Sequence, residues 1–128
     1  MRNRIKLCGI ALFLVTGLAC AEADFDFEEL MEAVDTNAHN LQDSITNKDS
    51  VASIALAKEM QNSFKLVEAY FAKRGNADDA VLDAKRYEDM AAEIVKFVDA
   101  SDFTAASNKA IEISKACDTA CHDTYKPL

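Results

Sequence analysis

Apolar residues recur along this chain in steps of three and four, which is the spacing that places side chains on one face of an α-helix. Four such stripes follow one another, and polar or charged positions border each of them. They cover residues 27–45, 57–71, 80–98 and 103–117, with the last pattern ending at Cys121. The pattern predicts an all-α chain of four amphipathic helices, each about twenty residues long.

Capping and helix-breaking residues separate the four stripes. Asp26 is the predicted N-cap of the first helix, and Asp49 or Ser50 that of the second. Gly75 should end the second helix, and Asn76 is the predicted N-cap of the third. Because the connections are short, consecutive helices should pack side by side in opposite directions. We therefore predict an up-and-down antiparallel four-helix bundle.

The beginning of the chain has the composition of a cleavable export signal. A basic start precedes an apolar run over residues 7–18, which is shorter than the roughly 20 residues that span a bilayer. Two overlapping small-x-small sites for signal peptidase follow this run. Lipidation of Cys20 is the weaker alternative, because Gly17 occupies the usually apolar position three residues before it. We predict a signal peptide over residues 1–23, a four-helix domain over residues 24–128 and a periplasmic location.

Charge narrows the classes of function. The 128 residues carry a formal net charge of −8, and loss of residues 1–23 leaves −10 because that segment holds three bases and one acid. A protein with this negative charge is not expected to bind nucleic acid or anionic lipid. The charge favours binding to basic proteins, which is common among small redox carriers. The sequence contains no nucleophile elbow, phosphate loop or convergent acid–base pair, so we predict no enzymatic activity.

The chemistry-bearing residues of the mature chain lie close to its end. Cys117, Cys121 and His122 form a C-x-x-x-C-H motif, one residue longer than the C-x-x-C-H motif that attaches haem c. Residues three or four apart lie on one face of a helix, so both thiols can face one planar ligand at either spacing. An exported thiol pair meets an oxidising compartment, where it forms a disulfide or is used by haem or a metal.

An exported, all-α chain with this motif on its fourth helix resembles the cytochrome c′/c556 family. The resemblance implies one covalent haem c per chain, with Cys117 and Cys121 forming the thioethers and His122 ligating the iron. It also implies single-electron transfer to redox partner proteins. Some members of that family instead bind gases such as NO or CO at a five-coordinate iron, and many are homodimers.

The predicted topology suggests further site residues, because the end of the fourth helix should lie beside the start of the first. Met31 is the candidate sixth iron ligand on that ground, although a methionine on an apolar stripe is more often core. Tyr70, Phe71 and Tyr87 are candidate haem-pocket residues from the second and third helices. His39 is predicted to be an ordinary surface residue.

Two haem-free interpretations compete with the cytochrome. Cys117 and Cys121 could form a local disulfide in a helical protein that binds a partner through one face. They could also hold zinc together with His122, although the sequence offers no convincing fourth ligand. An absorption spectrum of the exported protein separates the haem prediction from both alternatives.

Overall fold

The computed structural model describes residues 26–119, and these form four α-helices with no strand among them. The helices are α1 (Phe27–Thr46), α2 (Ser50–Arg74), α3 (Asp78–Asp99) and α4 (Phe103–Cys117). The all-helical prediction is confirmed, and the four helices form a helical bundle. No helix in the described part of the chain is long and apolar enough to cross a membrane. The predicted signal peptide, Cys20, Cys121 and His122 lie outside the described residues.

Side-chain caps fix the starts of three of the helices. Asp26 Oδ1 accepts a hydrogen bond from the Glu28 backbone N–H at 2.9 Å, and Asp49 and Asp102 cap α2 and α4 in the same way, each at 3.0 Å. Such caps satisfy backbone N–H groups that have no partner within the helix. Helix α3 differs, because its N-cap is Ala77 and it has no side-chain cap.

The prediction that Asn76 caps α3 is therefore wrong. Gly75 and Asn76 both have positive φ, of 74° and 53°. These two residues complete the turn after α2, so the helical backbone of α3 begins one residue later than predicted. Gly75 does end α2, as predicted, and its N–H donates to the Phe71 carbonyl at 3.1 Å.

Side-chain contacts link neighbouring helices. Phe27 at the start of α1 stacks on Tyr70 near the end of α2, with ring centroids 4.3 Å apart. Lys65 in α2 lies 3.7 Å from Glu88 in α3. Gln42, late in α1, hydrogen-bonds Ser107 early in α4. The contact between Gln42 and Ser107 shows that α1 and α4 lie side by side, and Met31 near the start of α1 lines the same cleft as Cys117 at the end of α4.

The core consists of two groups of buried side chains. The larger group extends through all four helices and includes Phe64, Ile94 and Ile113, which are fully buried. The smaller group lies where α2 ends and α3 begins, and Phe27 and Met31 of α1 pack against it. Within residues 26–119, α2 and α3 make the most extensive contact, whereas α1 and α4 make the least extensive one of the neighbouring pairs. Helix α4 is also the shortest of the four.

Candidate functional site

A cleft of about 230 Å³ lies between α1 and α4, and we call it the α1–α4 cleft. Its apolar lining includes Met31, Val34, Ala38 and Ile111, together with Cys117. Its remaining residues are polar or charged: Asp35, His39, Gln42, Ser114, Lys115 and Asp118. The cleft occurs at the interface with the least extensive contact among neighbouring helices of the described part of the chain. It is therefore the candidate place for a bound group.

Cys117 is the last residue of α4, and it belongs to the apolar stripe that faces the core. It is 8% exposed and lines the cleft. The next residue, Asp118, keeps right-handed helical dihedral angles, with φ of −57° and ψ of −42°. The amphipathic pattern of α4 thus delivers the first sulfur of the motif to the inside of the α1–α4 interface, as the helical interpretation of the motif requires.

Met31 lines the same cleft as Cys117. It is partly buried and also packs against the smaller core group. The structure therefore brings together two of the predicted site residues that are 86 positions apart in the sequence. The roles of Cys117 in attachment and of Met31 in ligation stay predictions, as do those of Cys121 and His122, which lie outside the described residues.

The three aromatic candidates lie elsewhere. Tyr70 and Phe71 pack with Phe27, which stacks on Tyr70 and meets Phe71 edge-on at 5.5 Å. Tyr87 packs against Phe64 with ring centroids 5.4 Å apart. None of the three lines the α1–α4 cleft. In this structure their rings pack with Phe27 and Phe64, away from the cleft. Their contribution to a haem pocket stays a prediction.

His39 lies at the rim of the cleft. Its side chain is 78% exposed, as predicted for a surface residue. Its Nδ1 is 2.9 Å from the Asp35 backbone carbonyl and 3.8 Å from the Asp35 carboxylate. The hydrogen bond to that carbonyl, and next the nearby carboxylate, raise the pKa of His39 above its ordinary value. His39 and Lys115 are the two basic residues among those that line the cleft.

Gln42 and Ile111 were not foreseen as part of the site. Gln42 Nε2 donates to Ser107 Oγ at 2.8 Å and thereby links α1 to α4. A sequence signal existed, since Met31, Asp35, Ala38 and Gln42 follow one another in steps of four, three and four. That spacing marks a second helical stripe beside the core stripe. Half of the residues in this second stripe are polar, so a search for apolar periodicity alone does not detect the stripe.

Two further findings bear on the assignment of a function. Within residues 26–119, no three His, Cys, Asp or Glu side chains converge into a group that could hold a metal ion. Comparison of the chain with known protein families, with curated proteins and with solved structures finds no match. A functional assignment therefore depends on the cysteine–histidine motif and on the cleft into which α4 delivers it.

Proposed function

We propose that this protein is an exported mono-haem c-type cytochrome that carries single electrons and catalyses no reaction of its own. In this proposal residues 1–23 are a signal peptide, and residues 24–128 form an up-and-down antiparallel four-helix bundle in the periplasm. The observation that carries the proposal is the position of Cys117. The first cysteine of the C-x-x-x-C-H motif is buried in a cleft that also contains the thioether of Met31.

The residues of the cleft fit a haem chemically. Val34, Ala38 and Ile111 provide an apolar lining, and Ala38 leaves space where a longer side chain would fill it. The volume of about 230 Å³ is below the roughly 300–1,000 Å³ of typical ligand pockets, so a macrocycle would have to widen the cleft. Because α1 and α4 make the least extensive contact among the described neighbouring helices, widening of the cleft would disturb few existing contacts.

Each residue has a distinct role in the proposal. The sulfurs of Cys117 and Cys121 would hold the macrocycle covalently, and the imidazole of His122 would ligate the iron. Met31, which lines the cleft from α1, would be a further ligand. The bound iron would supply a one-electron couple, whose potential a methionine ligand and an apolar surrounding raise. The apolar side chains of the cleft keep water away from that centre.

The proposed partners follow from charge. With a formal charge of −10 for residues 24–128, the protein would attract redox partners through a basic surface, and association should weaken as salt is added. Binding to nucleic acid is not part of the proposal. A homodimer is compatible with it and is tested by measuring the mass of the protein in solution.

Covalent haem attachment is tested on protein that is exported in a host with cytochrome c maturation. We expect a coloured product, a haem c spectrum in the pyridine haemochrome assay, and a mass equal to the processed chain plus one haem. The variant with Cys117→Ser and Cys121→Ser should be exported but colourless. A colourless wild-type product, two hydrogens lighter than the processed chain, would instead support the haem-free protein with a Cys117–Cys121 disulfide. Zinc recovered with a colourless product would support the metal-site alternative.

A five-coordinate, gas-binding haem protein is the second candidate, and the partial exposure of Met31 favours it. A partly exposed methionine is held less firmly by its neighbours than a buried one, so an exogenous ligand could compete with it. Met31→Ala separates the two candidates, with Met90→Leu as the matched control in the core. If Met31 is the ligand, its replacement converts the spectrum to high spin and opens the iron to CO. If the spectra and CO binding stay unchanged, the iron is not ligated by Met31.

A further inference from the structure

Gln42 is a residue of the α1–α4 cleft whose hydrogen bonding is incomplete. Its Nε2 donates to Ser107 Oγ at 2.8 Å. Its Oε1 is buried and has no hydrogen-bond partner within the part of the chain that the structure describes. A buried polar atom without a partner destabilises a fold, because it has lost its bonds to water and gained none. Since an amide oxygen accepts hydrogen bonds, the missing partner is a group that carries an N–H or O–H.

The volume of the cleft indicates the size of that partner. The cleft measures about 230 Å³, whereas one water molecule needs only roughly 10–15 Å³ of such volume. A cavity of about 150 Å³ holds one benzene molecule, and drug-sized ligands occupy pockets of about 300–1,000 Å³. A molecule of one ring or one short alkyl chain, carrying a single polar group, therefore fits the cleft without widening it.

The part of the cleft next to Gln42 offers apolar surface to such a molecule. Ala38 precedes Gln42 by one helical turn on α1, and Ile111 follows Ser107 by one turn on α4. Both Ala38 and Ile111 line the cleft. Ile111 is 41% exposed, and the short side chain of Ala38 leaves space beside it. A ring or alkyl chain can therefore pack between the two helices while its polar group meets Gln42.

The charge around the cleft favours a cationic donor. Asp35 and Asp118 in the lining offset the charges of Lys115 and of protonated His39, and all four are exposed. Helix α1 contains four further acidic residues and no lysine or arginine. The field at this side of the bundle is therefore negative and attracts cations. A protonated primary amine combines a positive charge with three N–H donors.

We infer that the α1–α4 cleft binds a small primary amine, whose ammonium group donates to Gln42 Oε1 while its apolar part packs on Ala38 and Ile111. The inference does not depend on the proposed function. It concerns the cleft at the volume that it has in the haem-free chain, which a macrocycle would have to widen. Benzylamine, an aromatic ring with an aminomethyl group, is the probe that matches this volume.

Three probes of similar shape test the inference. Benzylammonium, benzyl alcohol and benzoate share the ring and differ in the group that would meet Gln42. Benzylammonium should bind about tenfold more tightly than benzyl alcohol, because a charged donor forms the stronger hydrogen bond. Benzoate has no donor and should not bind. NMR titration measures the affinities, and the resonances of Ala38, Gln42 and Ile111 should be the ones that shift.

The titration uses the processed chain with Cys117→Ser and Cys121→Ser, to which no haem can be attached. Wild-type protein produced without haem maturation is the second form, and it should give the same affinities. The result is therefore obtained whether or not the exported wild type is coloured.

Variants of the lining separate a direct contact from a structural role. Gln42→Leu should weaken benzylammonium binding about tenfold, because the ammonium loses its acceptor. Gln61→Leu, on α2 and outside the cleft lining, is the matched control and should leave the affinity unchanged. Gln42→Glu keeps an acceptor and adds a negative charge, so it should strengthen the binding of benzylammonium but not that of benzyl alcohol. Ala38→Phe should fill the cleft and abolish the binding of both.

Each outcome decides for or against the amine site. Equal affinities for benzylammonium and benzyl alcohol, or equal effects of Gln42→Leu and Gln61→Leu, overturn it. Binding of benzylammonium that persists in Ala38→Phe also overturns it, because the probe then associates with the acidic surface in general. Tighter binding to Gln42→Glu, together with loss of binding to Ala38→Phe, supports the site. None of these results bears on haem attachment, which the colour and mass of the exported wild type test separately.

Discussion

The interface between α2 and α3 and the interface between α1 and α4 are built in opposite ways. At the first, large buried side chains such as Phe64 and Tyr87 pack directly on each other. At the second, smaller or partly exposed residues such as Ala38 and Ile111 line a cleft of about 230 Å³. Close packing stabilises a fold, whereas an interface that is packed less closely can admit another molecule. All four helices contribute buried side chains to the core, but the candidate site lies between α1 and α4.

The buried polar groups repeat this contrast. Glu88 on α3 is nearly buried, and its carboxylate lies 3.7 Å from Lys65 and 3.2 Å from Lys85. At the α1–α4 interface the Gln42 carbonyl oxygen has no partner within the described residues. The partners of a paired carboxylate offset its loss of water, whereas an amide oxygen left without a partner weakens the interface that contains it. The second arrangement is expected where a ligand completes the structure.

The largest expected effect compares one truncation at each interface. Phe64 is 0% exposed, so Phe64→Ala should lower the free energy of unfolding by about 3–5 kcal/mol through lost burial and a cavity. Ile111 is 41% exposed beside the cleft, and Ile111→Ala should cost less than about 1 kcal/mol in the haem-free protein. Denaturant unfolding measures both values. Equal losses would show that the two interfaces contribute alike and would remove the contrast.

A smaller effect is expected from the charge between α2 and α3. The Glu88 side chain is 9% exposed, so Glu88→Gln should lower the free energy of unfolding by about 1–2 kcal/mol. Asp89→Asn is the matched control, because Asp89 also pairs with Lys85, at 3.1 Å, but is exposed. That substitution should leave the stability nearly unchanged, since water screens the pair. A loss as large in Asp89→Asn as in Glu88→Gln would contradict the assigned importance of burial.

The smallest effect concerns the rim of the cleft. The pKa of His39 is raised first by its hydrogen bond to the Asp35 backbone carbonyl and then by the Asp35 carboxylate. The folded-state pKa of His39 therefore lies above its unfolded value. The interactions of protonated His39 with Asp35 contribute fully to stability below pH 6.5, and this contribution disappears as pH rises through the folded-state pKa. Asp35→Asn should lower the pKa of His39 but leave it above 6.5, because the carbonyl remains. NMR titration of the imidazole measures this, and an unchanged pKa would exclude the carboxylate as a cause.

Much of the fold could be predicted from local patterns. The apolar spacing predicted four helices, and Asp26 and Gly75 were correctly assigned as helix ends because capping depends on a few adjacent residues. The prediction for Asn76 failed because its backbone conformation is set by the turn shared with Gly75, which joins two packed helices. Local sequence does not specify how such a turn is divided between its residues.

The candidate site, like the fold, was predicted in part from the sequence. The sequence by itself shows that Cys117, Cys121 and His122 lie within six residues, and its apolar spacing predicted that Cys117 belongs to the buried stripe of α4, as the structure shows. Only the tertiary structure decided which residues face that cysteine. The cleft includes Met31, which the topology predicted, but it also includes Gln42 and excludes the predicted aromatic residues. The packing of all four helices decides which side chains line an interface, and local sequence does not specify that packing.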